Sequence, residues 1–179
     1  VNRGYVVLAP DSLGFEERQL SHPNSRNIWG ERYLFGDELL QGRTLAGKNV
    51  YDNLKGIGVL ISLDAVDSER IGCIGHSMGG IQTFYTTALD QRIKAAVSNC
   101  GVSMISSLQE AHICHTFSLY VPGLLANEID TPEILSLIAP RSYLISGTED
   151  DGNFPKAGVD ELYALAQKHF NKGGNLKKH

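Results

Sequence analysis

Four apolar runs of six to eight residues punctuate the chain: GYVVLAP at 4–10, RIGCIG at 70–75, IKAAVSNC at 93–100 and SYLISG at 142–147. They are short and nearly continuous, the pattern of strands buried on both faces of a parallel sheet. Helical spacing lies between them. In NVYDNLKGIGVLISL, Val50, Leu54, Ile57 and Ile61 recur at steps of four, three and four, which is one helix face. GGIQTFYTTALD (79–90) and KAGVDELYALAQKHF (156–170) read likewise, and Gly173 and Gly174 stop the latter. Alternating strands and helices predict an α/β fold: a mostly parallel sheet with helices on both faces. Residues 1–179 read as one domain, with 11–43 and 101–140 as long connections and the second as a lid-like insertion.

One of these junctions carries chemistry. GHSMG at 75–79 fits G-x-S-x-G. With 19 glycines in the chain the string alone is weak, but it falls between a predicted strand and a predicted helix, where a nucleophile elbow belongs. A tight turn there lifts the Ser77 hydroxyl above the strand ends, and bulky neighbours would clash with the turn, hence Gly75 and Gly79. Ser77 also falls at a helix N-terminus, whose N–H groups favour negative charge on a substrate oxygen. A serine hydroxyl needs a base, and a carboxylate to orient that base. SYLISGTEDDGNFP offers Glu149, Asp150 and Asp151 just past a strand, and Asp150, three residues beyond Gly147, is the choice among them.

Composition narrows the function without naming it. Sixteen Lys and Arg against 20 Asp and Glu give a formal charge of -4, which favours no nucleic-acid partner. Cys73, Cys100 and Cys114 are odd in number and lack metal-ligand or paired spacing, so a reducing, cytoplasmic setting is expected. No apolar run is long enough to cross a bilayer, so no membrane partner is expected, and neither metal nor organic cofactor is implied. The first residues, VNRGYVVLAP, begin without Met and look truncated.

Taken together, YVVLAPDSLGFEER, GRTLAGKNVYDNLKGIGVL, VDSERIGCIGHSMGG, ALDQRIKAAV, YVPGLL, LIAPRSYLISGTED and FP resemble α/β-hydrolases of the dienelactone hydrolase and acetyl xylan esterase-like group. The resemblance runs over nearly the whole chain, and IAPR and FP are its more particular pieces. It implies Ser77 as nucleophile, Asp150 as triad acid and the Met78 N–H as one half of the oxyanion hole. One residue too many lies between Gly147 and FP, with Asp151 the less favoured acid. The family's strand order is 1-2-4-3-5-6-7-8, in which GYVVLAP matches the fourth strand. The third, with the other oxyanion N–H, is then expected upstream of Val1.

The base is not found. His179 is judged to end at the wrong end of its strand, about 15 Å short of the catalytic edge. His169 belongs to a helix, His76 is held in the elbow, His112 and His115 precede the acid, and His22 is in an early loop. The chain therefore reads as the middle of a larger domain, with the base beyond residue 179. The implied activity is hydrolysis of small acyl or acetyl esters through an acyl-enzyme. A serine peptidase of the same fold and a non-catalytic binding module are the alternatives.

Overall fold

The structure, a computed structural model, describes residues 3–21, 28–114, 116–170 and 173–179. Their contacts cluster into two compact units, 1–69 with 116–120, and 70–115 with 121–179. The insertion foreseen at 101–140 is divided between them.

The second unit holds the sheet. Strands β1 (Ile71–His76), β2 (Ile93–Asn99), β3 (Ser142–Ser146) and β4 (Leu176–Lys178) lie in that order and are all parallel. The register sets Cys73, Ala96, Tyr143 and Leu176 in one row, and Gly75, Ser98, Ile145 and Lys178 in the row two residues on. Helix α3 (Met78–Leu89) packs across β1 and β2 on the face these rows share, burying Ile81, Phe84 and Tyr85. Helix α6 (Lys156–Phe170) keeps the predicted bounds and buries Val159, Leu162, Ala166 and Phe170 along one stripe. Its stop is as predicted: Gly173 takes φ +118° and the Gly174 N–H returns to the Phe170 carbonyl at 2.8 Å. The strands are not buried on both faces throughout. The residues of β1 alternate, and Ile74 is 76% exposed.

The first unit departs further from the pattern. GYVVLAP forms no strand among the described residues: Tyr5 is 66% and Val7 62% exposed, and β1 pairs with β2 alone. An apolar run becomes a strand only through a ladder with a neighbour, and no described strand offers this one a partner. Conversely, helix α1 (Ile28–Leu40) lies inside what reads as connection. Its inward stripe is Glu31, Leu34 and Glu38, so hydrophobic periodicity hides it. Glu31 is held by the Thr116 hydroxyl, by the Ser118 N–H at 3.1 Å and by the Ser118 hydroxyl at 2.9 Å, while Arg43 meets Glu38 at 2.7 Å. These donors make carboxylates tolerable at buried positions. Helix α2 (Leu45–Ile61), capped by Thr44, buries Val50 and Ile57 as predicted, but its stripe runs back through Asn49 to Ala46 and Leu45. Asn49 donates to Ser118 at 3.1 Å, and Phe35, Phe117 and Tyr120 form an aromatic trio beside this junction.

Two polar residues organise the second unit. Arg141, the last residue of IAPR, donates to five carbonyls: Ile138 from Nε, Asp90 and Ile93 from Nη1, and Thr87 and Leu137 from Nη2, at 2.6 to 3.2 Å. Helix ends leave carbonyls without intrahelical donors, and one guanidinium serves the end of α3, the start of β2 and the end of helix α5 (Thr131–Ser136). Because only a planar five-donor fork reaches them all, Arg141→Lys is expected to destabilise nearly as much as Arg141→Ala. Each carbonyl left buried without a donor costs about 1–3 kcal/mol. Urea unfolding of the two variants beside the parent measures this, and a neutral Lys variant would contradict it.

Asp130 caps two helices at once. Its Oδ1 accepts from the N–H groups of Ile105 (2.7 Å) and Thr131 (2.6 Å) and its Oδ2 from the Ser106 N–H (3.1 Å), at the starts of helix α4 (Ile105–Glu110) and of α5. Burial by itself raises the carboxyl pKa, but hydrogen bonds from Ser106, Thr131 and Ile105 outweigh it, and the pKa lies below its ordinary value. A lowered folded-state pKa gives stability that is present above the unfolded value, about 3.9, and is lost as pH falls through the folded one. Asp130→Asn keeps one acceptor oxygen but turns an NH2 group toward a backbone N–H, so it should lose about 1–3 kcal/mol at pH 7 and show a shallower loss of stability on acidification than the parent. Urea midpoints from pH 7 down to pH 3 test it.

Candidate active site

The junction of β1 and α3 makes a sharp turn. Ser77 has φ 53° and ψ −118°, a conformation rare for any residue but glycine and costing on the order of 1–3 kcal/mol. Two hydrogen bonds hold it there: the Ser77 N–H donates to the Asn99 carbonyl at the end of β2 at 2.8 Å, and the Ser77 carbonyl accepts from Ile81 at 3.1 Å to open the helix. Met78 is the first residue of α3, so its N–H has no intrahelical acceptor. Ser77 is half-buried. Ser98 and Ser103 are buried, and the Ser98 hydroxyl is committed to the Gly80 carbonyl at 3.0 Å.

The glycines divide the work differently from the motif reading. A Cβ on Gly75 would collide with the backbone of Gly79 and Gly80, so the approach there is too close for any side chain. A Cβ on Gly79 meets nothing within 4 Å; Gly79 matters through its backbone. The sequence reading also missed a second contact. A Cβ on Gly101 would stand 2.6 Å from the Gly80 Cα, and one on Gly80 would stand 2.9 Å from the Ser98 Oγ. Gly80 and Gly101 thus let α3 lie against the end of β2, a role their positions beside the motif and just past a strand could have suggested.

Beyond the strands the same rim continues. His76, Asn99 and Ser146 form the last paired row. The Asn99 side-chain amide bonds His76 Nδ1 at 2.9 Å, which keeps that ring engaged beside the elbow. One residue on stand Ser77, Cys100 and Gly147, linked in part by the Ser77–Asn99 bond and by the Cys100 N–H to the Ser146 carbonyl at 2.7 Å. Cys100 also has positive φ, 48°. The loop carrying Glu149, Asp150 and Asp151 leaves β3 here. Two strand spacings, about 9–10 Å, separate it from the elbow, a span that one imidazole with a hydrogen bond at each nitrogen suits. Asp150 is exposed, while Asp151 Oδ1 accepts from the N–H groups of Asn153 (2.8 Å) and Phe154 (3.0 Å).

His179 does not lie at the wrong end of its strand. β4 begins opposite Tyr143, and the His179 N–H bonds the Ile145 carbonyl at 2.9 Å while its own carbonyl accepts from Gly147 at 3.0 Å. His179 therefore stands at the same rim as Asn99 and His76, not at the far end of its strand. What separates it from Ser77 is lateral: three strand spacings, about 14–15 Å, more than one histidine side chain reaches. His169 lies in α6, and His112 is exposed just past α4. His22 and His115 lie outside the described residues.

A parallel sheet with a strained serine between strand and helix, and acids at the next-but-one strand end, defines the α/β-hydrolase fold. Solved structures agree. A "putative acetyl xylan esterase" from Bacteroides fragilis superposes with TM-score 0.71 at 16% identity, over 96% of this chain and 46% of that one. A glucuronoyl esterase from Solibacter usitatus superposes with TM-score 0.59 at 20% identity, over 72% of this chain and 37% of that one. The sequence profile of the Prolyl oligopeptidase family matches residues 35–168, and the chain belongs to that family. Among curated proteins, the "Putative hydrolase YtaP" of Bacillus subtilis is 36% identical over 167 residues, covering 89% of this chain and 51% of that protein. The 2,6-dihydropseudooxynicotine hydrolase of Paenarthrobacter nicotinovorans is 25% identical, covering 75% of this chain and 39% of its own length. The chain thus spans about half the length of YtaP and less of the second relative. Among the described residues no helix is long and apolar enough to cross a membrane.

The two motif glycines separate in a simple test. Gly75→Ala should abolish the elbow and with it reaction of Ser77 with a fluorophosphonate probe. Gly79→Ala should fold, with up to about 1 kcal/mol gained from helix propensity. Labelling and thermal melts of both variants decide, and equal effects would refute the assignment.

Proposed function

We propose that this chain carries the nucleophile and acid of a serine hydrolase acting on small carboxylic esters, acetyl or short acyl. The observation that carries the reading is the backbone of Ser77, strained to positive φ between β1 and α3. Such strain persists only where surrounding structure holds it, and it presents a hydroxyl over a helix N-terminus. In the reaction, Ser77 Oγ bonds to the ester carbonyl carbon while its proton passes to a histidine base supplied from outside the described residues. The oxyanion is met by the Met78 N–H. The base then returns the proton to the departing alcohol as the C–O bond breaks, and water repeats the cycle to release the acid. The supporting carboxylate comes from the loop after β3 that carries Glu149, Asp150 and Asp151. This chemistry asks for no metal or organic cofactor.

The names of the structural neighbours, acetyl xylan and glucuronoyl esterases, support ester over amide substrates. The name of the matched family supports a peptidase as the second reading. The proposal puts the protein in the cytoplasm, where Cys73, Cys100 and Cys114 persist as free thiols. In the full-length protein, Ser77→Ala should lose fluorophosphonate labelling and p-nitrophenyl acetate hydrolysis to background, whereas Ser98→Ala should keep both. Labelling that survives Ser77→Ala would refute the nucleophile. Faster cleavage of peptide amides than of acetyl esters would favour the peptidase, and a parent protein inert to probe and esters alike would leave a binding module.

A further inference from the structure

We propose that Asp151, rather than its neighbour Asp150, is the carboxylate that positions the base; the inference rests on the serine-hydrolase reading above. The two side chains are held very differently. Asp150 is exposed to solvent. The Asp151 carboxylate is fixed by the N–H groups of Asn153 and Phe154 at 2.8 and 3.0 Å, and Phe154 is itself buried at 3% exposure, so the loop is anchored at that point. Asp151 also engages the thiol of Cys100. That contact gives it direction. Cys100 directly follows Asn99, whose carbonyl accepts the Ser77 N–H, and it lies on the strand between the elbow and the acid loop. Asp151 therefore leaves β3 toward β2, crossing one of the two strand spacings that separate it from Ser77. Burial first, and then the Asp151 carboxylate, push the thiol pKa up, and the thiol itself donates to the Asn99 Oδ1 at 3.8 Å. A carboxylate that orients an imidazole must itself be oriented, and of the two aspartates only Asp151 has its carboxylate fixed by backbone N–H groups of its own loop.

The substitution to asparagine separates charge from geometry, because the amide oxygen of Asn keeps the turn to residues 153 and 154 that a side-chain carbonyl can make. In the full-length protein, Asp151→Asn should lower kcat by about 10²- to 10⁴-fold with KM within about threefold and with the thermal midpoint close to that of the parent. Its acid limb in the kcat/KM–pH profile should move to lower pH, since a carboxylate beside an imidazolium raises the imidazole pKa. Asp150→Asn should stay within about threefold in kcat. A larger loss in Asp150→Asn than in Asp151→Asn overturns the inference. So does a loss in Asp151→Asn that accompanies a lowered midpoint with an unmoved pH profile, which is the signature of the turn alone. Ser77→Ala, measured in parallel, keeps the two readings apart: if it abolishes turnover while Asp151→Asn does not, only this inference fails, and if it remains active, both do.

Discussion

The second unit is organised by one close approach, that of the first turn of α3 to the ends of β1 and β2. Gly75 leaves room for the backbone of Gly79 and Gly80, Gly80 and Gly101 lie in mutual contact, and the Ser77 N–H closes on the Asn99 carbonyl. No side chain fits between these backbones, so the helix axis is set by main-chain contact rather than by side-chain packing. The positive φ of Ser77 follows from this arrangement. The chain leaves β1 and enters α3 within one residue, and the strain of that residue is balanced by the hydrogen bonds and by Ile81 and Phe84 buried behind it.

Arg141 and Asp130 extend the same logic to the opposite end of the sheet and to the insertion. Each is one charged side chain serving the ends of elements distant in sequence. Arg141 gathers the carbonyls where α3 turns into β2 and where α5 turns into β3. Asp130 gathers the N–H groups that begin α4 and α5. Short helices of six residues have little stability of their own, and a shared cap makes their formation depend on one another. The elbow and its rim are thus framed by polar residues acting on backbone.

In the first unit the same economy places carboxylates where a pattern reader looks for leucine. Glu31 and Glu38 occupy the inward stripe of α1, made tolerable by Thr116, Ser118 and Arg43. Thr116 and Ser118 are 85 and 87 residues away from Glu31 in the chain. Their pairing cannot be read from local periodicity.

The sequence by itself determined the class of fold, the three strands 70–75, 93–100 and 142–147 to within a residue or two, the bounds of α6 and the identity of the strained serine. All of these follow from local causes: apolar period, glycine at a steric pinch, and stop signals at a helix end. Only the tertiary structure decided that α1 exists, that Gly79 is spared and Gly101 is not, and that His179 stands at the rim of the sheet, while GYVVLAP pairs with no strand among the described residues. The reason is common to them. A strand needs a neighbour to hydrogen-bond, a buried glutamate needs a distant donor, and a glycine is required only where another backbone passes close, so each of these features is fixed by a partner that local sequence does not contain.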